Sequence, residues 1–242
     1  MNILYFKELE STNKYAKELA KNGESEFTVI IADSQSGGYG RMGRHFCSPE
    51  HSGLYMSIIL RPRLKPEQSL YITTAAAVAV SEAIEKIAPV KTGIKWVNDI
   101  FIYGKKVCGI LTEAGFSSGD TLDYAILGIG VNIYTPKDGF AAEIKDIAGS
   151  IFDSPKDTNI RDALAESIIG NFKAFYSDIT NKPHLDKYRQ RNIVTGKEIK
   201  VISANDVYTA TALGIDDDFR LTVKDANNNI TALDSGEISI RM

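Results

Sequence analysis

The sequence predicts an α+β fold in which helices flank a mixed β-sheet and a small β domain follows. Two observations support this prediction. Up to residue 192, short runs of β-branched residues alternate with long segments that have helical spacing. After Asn192 the helical spacing ends, and short strand-like segments follow, separated by turns rich in Asp and Asn. We therefore expect one domain over residues 1–192 and a second over residues 193–242.

The chain begins with elements that have clear boundary signals. Residues 3–7 are mostly apolar and predict a short strand. The polar residues 11–13 are typical of a helix start, and Gly23 is typical of a helix end, so a helix lies between them. A β-branched run over 27–32 and an alternating segment over 54–62 predict two further strands.

The middle of the chain predicts a buried helix followed by antiparallel strands. Pro66 suits a first helical turn, and the alanine-rich residues 68–87 are long enough for a helix that packs across the sheet. The strand-like segments 94–103 and 107–114 are joined by a GlyLysLys turn, which predicts a hairpin, and residues 123–134 predict one more internal strand.

A loop, two helices and a series of short strands complete the prediction. Residues 135–158 lack a period, residues 159–179 have amphipathic helical spacing, and residues 184–191 predict a shorter helix. The strands expected in the second domain cover residues 198–203, 207–215, 219–225 and 230–242.

The charge and hydropathy of the chain exclude several classes of function. The 28 basic and 31 acidic side chains give a net charge of −3, so no strong positive field attracts nucleic acid or an anionic membrane. The sequence contains no secretory signal and no apolar stretch long enough to span a bilayer. We expect a cytoplasmic protein that binds neither DNA nor membranes, with a homodimer left open.

The glycine-rich segment 38–44 predicts a loop that can close over an anion. Gly38, Gly40 and Gly43 fit the spacing GxGxxG, but another strand rather than a helix follows, so a dinucleotide site is excluded. Arg41 and Arg44 on this loop favour a lid over an anionic ligand, whereas the alternative is a flexible surface loop.

A second candidate site lies around the predicted hairpin. Lys95 and Lys106 flank it, with Asn98 and Asp99 between them, a set suited to phosphate oxygens and hydrated magnesium. The alternative is that Lys105 and Lys106 are simply solvated at a turn.

Two further features have structural and functional interpretations. The GlyIleGly sequence at 128–130, inside a predicted strand, indicates either a bulge or a position that a ligand or another backbone approaches closely. Trp96 is by default a core aromatic, although the neighbouring Asn98 and Asp99 place it beside the candidate site.

Taken together, several of these segments resemble the motifs of biotin protein ligases in order and spacing. They are SerThrAsn at 11–13, Gln35, GlyTyrGlyArgMetGlyArg at 38–44, LysTrpValAsnAsp at 95–99, LysValCysGlyIleLeu at 106–111, GlyIleGlyValAsn at 128–132 and SerGlyGluIleSerIle at 235–240. The resemblance covers nearly the whole chain. Because it begins at the first predicted strand, we expect the ligase-only class, which lacks an N-terminal DNA-binding domain.

The resemblance implies a fold, an activity and a partner. The fold is a class II synthetase-like catalytic domain followed by a small SH3-like β-barrel. The activity joins biotin to ATP, giving biotinyl-5′-AMP and pyrophosphate, and then transfers biotin to one lysine of a biotin carboxyl carrier domain. That carrier belongs to a biotin-dependent carboxylase such as acetyl-CoA carboxylase. ATP and biotin are the implied substrates, and Mg²⁺ is expected with the ATP.

The resemblance also implies roles for individual residues. Implied biotin-binding residues are Ser11, Thr12, Asn13, Gln35, Gly38, Tyr39, Gly40, Arg41, Trp96, Lys106, Gly109, Gly128 and Gly130. Implied ATP-binding residues are Arg41, Arg44, Lys95, Asn98, Lys106, Asn132, Glu237 and Arg241. The implied catalytic residues are Lys106, Arg41, Lys95, Asn98 and Asp99, with Asp99 near magnesium. The chain departs from the family pattern at Tyr39, where an arginine is usual, and at Val97, where a proline is usual.

Two alternatives remain at this point. Lipoate ligases and lipoyl or octanoyl transferases share the catalytic fold, but their narrow apolar pocket does not need the polar set formed by residues 11–13 and Gln35. A non-catalytic biotin sensor would bind biotin without turnover.

Overall fold

The computed structural model describes residues 2–116, 121–155, 159–202, 207–234 and 237–240. Within these residues the chain forms twelve strands and four α-helices. In chain order they are β1 (Asn2–Leu9), α1 (Thr12–Lys21), β2 (Thr28–Gln35), β3 (Gly53–Leu60), α2 (Ser69–Ile87), β4 (Gly93–Lys95), β5 (Asp99–Ile102), β6 (Lys105–Phe116), β7 (Leu122–Asn132), α3 (Ile160–Tyr176), α4 (Leu185–Arg191), β8 (Glu198–Ile202), β9 (Val207–Ile215), β10 (Leu221–Asp225), β11 (Ile230–Leu233) and β12 (Glu237–Ile240).

The first seven strands form one sheet in the order β1-β2-β3-β7-β6-β5-β4. Strand β1 runs parallel to β2, and the other neighbouring pairs are antiparallel. The predicted mixed sheet is therefore confirmed. None of the helices in the described parts of the chain is both long and apolar enough to cross a membrane.

The helices cover opposite faces of this sheet. Along β2, Val29 and Ile31 pack in the core that includes α2 and α3, whereas Ile30 packs in a separate cluster with Ala16 of α1. Ile126 of β7 belongs to the α1 cluster. Because side chains alternate between the faces of a strand, residues 128 and 130 lie on the α1 face as well.

Helix α2 is the buried helix that its alanine-rich sequence predicts. Residues 71–81 are all buried, because the helix packs against the sheet on one side and against α3 and α4 on the other. Its small side chains allow these neighbours to approach closely.

The second sheet is antiparallel, with the order β11-β10-β9-β8-β12, and the turn between β9 and β10 packs against α2 and α4. Between β9 and β10, Phe219 is fully buried, and its ring contacts those of Tyr71, His184 and Tyr188. The indole N–H of Trp96 donates to the Phe219 carbonyl at 2.9 Å. The two sheets therefore share one continuous hydrophobic core.

Several strand ends shift by one to three residues, so that β2 extends to Gln35 and Phe219 precedes β10, and two predicted strands are each divided in two. Residues 94–103 form β4 and β5 with a tight connection over 96–98, because Lys95 pairs directly with Asp99. Within the predicted strand 230–242 there are two strands, β11 and β12. Residues 235–236 and 241–242 lie outside the described residues.

Candidate active site

A cleft of about 290 Å³ opens at the N-terminal end of α1. The start of the helix, the glycine loop and strands β4 to β7 line it, and Ile238 and Ser239 of β12 contribute from the second sheet. The predicted site residues that line the cleft are Ser11, Thr12, Asn13, Gln35, Tyr39, Gly40, Arg41, Arg44, Lys95, Trp96, Asn98, Asp99, Lys106, Gly109, Gly128 and Gly130.

One end of the cleft is polar and neutral. Ser11 is the N-cap of α1, which places the first residues of the helix at the cleft. Both the backbone N–H and the hydroxyl of Thr12 donate to Gln35 Oε1, at 2.9 and 3.1 Å. The Gln35 amide nitrogen donates in turn to Ser48 Oγ at 2.9 Å. These bonds hold the Gln35 amide in a single orientation.

Asn13 is fixed by two residues that the sequence analysis did not identify. Its Nδ2 donates to Glu113 Oε2 at 2.9 Å, and its Oδ1 accepts from the buried Ser57 hydroxyl at 2.6 Å. A Cβ atom at position 128 would lie 2.2 Å from Asn13 Oδ1, so only glycine fits there. In this structure, the group that approaches Gly128 closely is therefore the Asn13 amide.

Phe46 forms an apolar part of the cleft and was also missed. A Cβ atom at position 130 would lie 2.5 Å from the Phe46 ring, and one at position 109 would lie 3.3 Å from it. The predicted close approach to these glycines is thus made by an aromatic side chain. Glycine inside a strand was the available signal, but it does not identify the side chain that packs on it.

The other end of the cleft is cationic. Lys106 Nζ lies 2.7 Å from Asp99 Oδ1, and Arg41 Nη1 donates to Asn98 Oδ1 at 3.4 Å. The cations Arg41, Arg44, Lys95 and Lys106 share the described lining with one carboxylate, that of Asp99. An excess of positive charge in a cleft favours anionic ligands.

Local backbone geometry places these groups. The antiparallel hairpin of β5 and β6 sets Asp99 opposite Gly109. The Asn98 Nδ2 donates to the Ile110 carbonyl at 2.8 Å, and the Ile110 N–H donates to the Asn98 carbonyl at 3.0 Å. Lys106 is held by its own N–H, which donates to the Ile147 carbonyl at 2.8 Å.

The glycine loop folds back on itself beside the polar end. Gly40 N–H donates to the Arg44 carbonyl at 2.7 Å, and Phe46 N–H donates to the Gly38 carbonyl at 2.9 Å. The Tyr39 hydroxyl donates to Glu113 Oε2 at 2.7 Å. Burial and the adjacent carboxylate raise the pKa of the Tyr39 phenol, so this hydroxyl stays protonated. Residues 38–44 thus form a loop between β2 and β3, as predicted, and its closure over an anion stays a prediction.

Among the described side chains, two predicted site residues, Gly38 and Asn132, do not line the cleft. Gly38 packs beneath the loop, where a Cβ atom would lie 2.7 Å from the Phe46 carbonyl oxygen. Asn132 donates from Nδ2 to the Gly149 carbonyl at 2.9 Å. The backbone of Glu237 lies in β12, opposite Ile202. Arg241 lies outside the described residues.

Within the described residues, no group of three or more acidic, histidine or cysteine side chains could hold a metal ion. One carboxylate, that of Asp99, lines the cleft among the described side chains. Magnesium that enters with a nucleotide is commonly held by one or two carboxylates together with phosphate oxygens. The donor set at Asp99 therefore fits a nucleotide-bound ion.

Comparisons with known proteins match both parts of the chain. The sequence model of the biotin/lipoate A/B protein ligase family matches residues 5–132. The biotin protein ligase C-terminal domain matches residues 194–241. The bifunctional ligase/repressor BirA of Bacillus subtilis is 36% identical over 242 residues, which cover 99% of this chain and 74% of that protein. The biotin--[acetyl-CoA-carboxylase] ligase of Mycobacterium tuberculosis is 26% identical over 226 residues, 90% of this chain and 81% of that protein.

A solved structure matches the fold of the chain over nearly its whole length. The biotin protein ligase from Aquifex aeolicus, in complex with biotin and ATP, matches with a TM-score of 0.78 and 29% identity, over 99% of this chain and 98% of that one. The predicted fold class is thus confirmed. From the match over more than half of its residues and its identity to the Bacillus protein, the chain belongs to the biotin/lipoate A/B protein ligase family.

Proposed function

We propose that this chain is a biotin protein ligase. It activates biotin with ATP to biotinyl-5′-AMP and transfers the biotinyl group to a lysine of a biotin carboxyl carrier domain. The observation that carries this proposal is that a single cleft has a neutral polar end, at Thr12 and Gln35, and a cationic end, at Lys106. The names of the relatives and the nucleotide and biotin in the Aquifex complex support it.

The neutral end suits the ureido ring of biotin. That ring carries two N–H donors and one carbonyl acceptor, and neutral partners bind such groups at low desolvation cost. Ser11, Thr12, Asn13 and Gln35 are the proposed partners. Gly40, Gly109 and Trp96 line the continuation of the cleft, where the valeryl chain would lie.

The cationic end suits the adenylation step. A carboxylate oxygen of biotin attacks the α-phosphorus of ATP, the bond to the β-phosphate breaks, and pyrophosphate leaves. Two anions must meet in this step, so positive groups at the meeting point lower its barrier. We assign this role to Lys106 and Arg41, whereas Lys95, Asn98 and Arg44 face the phosphates.

Asp99 has two proposed tasks. Its ion pair with Lys106 holds the ammonium group at the cleft, and it is the carboxylate that would hold magnesium. When bound, the ion would neutralise phosphate charge. We assign Asn132, Glu237 and Arg241 to ATP binding on the resemblance.

In the transfer step the amine of the carrier lysine attacks the acyl carbon, and AMP leaves. We infer that the two sheets divide this work. The domain 1–192 holds the polar and cationic ends, and the domain 193–242 closes the cleft through Ile238 and Ser239. We propose a cytoplasmic location, which the lack of an apolar stretch long enough to span a bilayer supports.

The test starts with ligand choice. Biotin and, separately, lipoate are titrated calorimetrically into the purified protein, and ATP-dependent labelling of a carrier domain is then measured. Biotin binding with labelling is expected. Binding of lipoate instead would assign the chain to the lipoate branch of the family, and biotin binding without pyrophosphate release or labelling would indicate a sensor.

A further inference from the structure

Glu113 of β6 ties together two elements that form the polar end of the cleft. Its Oε2 accepts from the Tyr39 hydroxyl at 2.7 Å and from Asn13 Nδ2 at 2.9 Å. Its other oxygen lies 3.7 Å from Lys17 Nζ, and the side chain is about a quarter exposed (24%). One oxygen atom therefore joins the glycine loop to the first turn of α1.

The charge of Glu113 decides how Asn13 is oriented. An ionised carboxylate only accepts hydrogen bonds, so the Asn13 nitrogen must face it. The Asn13 oxygen then faces the Ser57 hydroxyl, 2.6 Å away. Without Glu113, the Asn13 nitrogen loses the acceptor that fixes its side of the amide, and an exchange of nitrogen and oxygen would reverse the polarity offered to a ligand.

The Tyr39 side chain has only one hydrogen-bond donor, and it gives this donor to Glu113. Tyr39 stands where the family pattern has an arginine, and a phenol has one hydroxyl donor whereas a guanidinium has five N–H donors. Because the Tyr39 hydroxyl donates to Glu113, its single proton is used within the protein and not offered to a ligand. Elsewhere on the loop, Arg41 reaches Asn98 at the longer distance of 3.4 Å, and Met42 is 71% exposed.

We propose that Tyr39 and Glu113 form a latch that holds the glycine loop closed over the polar end of the cleft, with Glu113 also acting as a positioning residue for Asn13. The ligand retained there is biotin, so this part rests on the proposed function. The latch contact itself involves only residues of this chain.

The first measurement is hydrogen exchange of the loop amides without ligand. Tyr39→Phe removes only the hydroxyl, and loss of one hydrogen bond to a charged acceptor corresponds to roughly a ten-fold change or more in an equilibrium. We expect the amides of Gly40 and Phe46 to exchange about ten-fold faster. Tyr5→Phe, at an exposed tyrosine of β1, is the matched control and leaves loop exchange unchanged.

The second measurement is a double-mutant cycle on biotin dissociation. Glu113→Ala is expected to accelerate dissociation by roughly ten- to a hundred-fold and Tyr39→Phe by about ten-fold. Glu113→Gln keeps an acceptor oxygen, so it is expected to accelerate dissociation less than Glu113→Ala does. In the Glu113→Ala background, Tyr39→Phe should accelerate dissociation little further. In these variants the KM for biotin should increase, whereas the KM for ATP should not. Glu8→Gln, at an exposed position of β1, is the carboxylate control.

Additive effects of the two substitutions, or unchanged loop exchange in Tyr39→Phe, would overturn the latch. Because loop exchange is measured without ligand, it decides the latch even if the unaltered protein bound no biotin, a result that would instead refute the proposed function.

Discussion

Two walls of the cleft are held by different physical means. At the polar end, a hydrogen bond from Tyr39 to Glu113 links the glycine loop to β6, and Met42 on the loop is 71% exposed. At the aromatic wall, the Trp96 side chain donates to the turn that carries Phe219, whose ring is fully buried among three other rings. We call the contact of the Phe219 turn with Trp96, α2 and α4 the junction. Burial stabilises the junction without any ligand, whereas a half-exposed loop gains much of its order from what it covers.

This difference separates stability from activity. Changes at the junction should lower the free energy of unfolding, and changes at the cationic and polar ends should alter ligand binding and rate while leaving the fold intact. The following predictions test that separation.

The largest effect is expected from Phe219→Ala. It leaves a cavity between Tyr71 and His184, and truncation of a buried phenylalanine costs about 3–5 kcal/mol. Urea unfolding measures the loss. Phe116→Ala, at an exposed phenylalanine of β6, is the matched control and should change stability by less than about 0.5 kcal/mol. Equal losses in the two variants would contradict the importance of the junction.

At the cationic end, Lys106→Gln should slow adenylation by roughly ten- to a hundred-fold, since one charge-assisted contact is worth about 1.5–3 kcal/mol. Pyrophosphate release measures the rate. The adjacent Lys105 donates instead to the Asp146 carbonyl at 2.7 Å, so Lys105→Ala is expected to retain the rate. Comparable slowing in both variants would remove Lys106 from its proposed role.

The junction also predicts a dependence of stability on pH. Burial lowers the pKa of His184 to about 3, and its ring stacks on Phe219. An unfolded histidine has a pKa of about 6.5, so the unfolded chain takes up the proton first as pH falls. The contribution of neutral His184 to the free energy of unfolding is therefore fully present above about pH 6.5 and decreases toward pH 3. Between pH 7 and 5 the decrease is about 2 kcal/mol. Urea unfolding at both pH values should show a smaller decrease for His184→Phe than for the unaltered protein.

The sequence predicts the polypeptide's local features better than its long-range neighbours. Short motifs identified Thr12, Gln35 and Lys106. Each lies in a recognisable local pattern, and these patterns follow one another in the same order as in biotin protein ligases. Phe46 and Glu113 were missed, since they act by packing on Gly130 and bonding to Asn13, which lie on other strands and helices. Nothing in a local sequence encodes such a pairing before the register of the sheet is known.

Phe219 illustrates the same limit at the second sheet. The Asp-rich segment predicted a turn between two strands, and the turn is present. A turn residue with a positive φ of 62° is ordinarily exposed, yet this one inserts into the first domain. Its burial follows from the contacts made by α2 and α4, and these depend on how the two sheets meet.

The smallest effect is expected from Trp96→Phe, which connects the two regions. The substitution keeps an aromatic wall in the cleft but removes the indole N–H, so the Phe219 carbonyl loses its 2.9 Å donor. One hydrogen bond of this kind is worth about 1 kcal/mol. We expect a stability loss of that size, measured by urea unfolding, together with a far smaller change in biotin affinity measured by calorimetry. A large loss of affinity with unchanged stability would mean that the indole serves the ligand directly, and the junction and the cleft would then have to be treated as one unit.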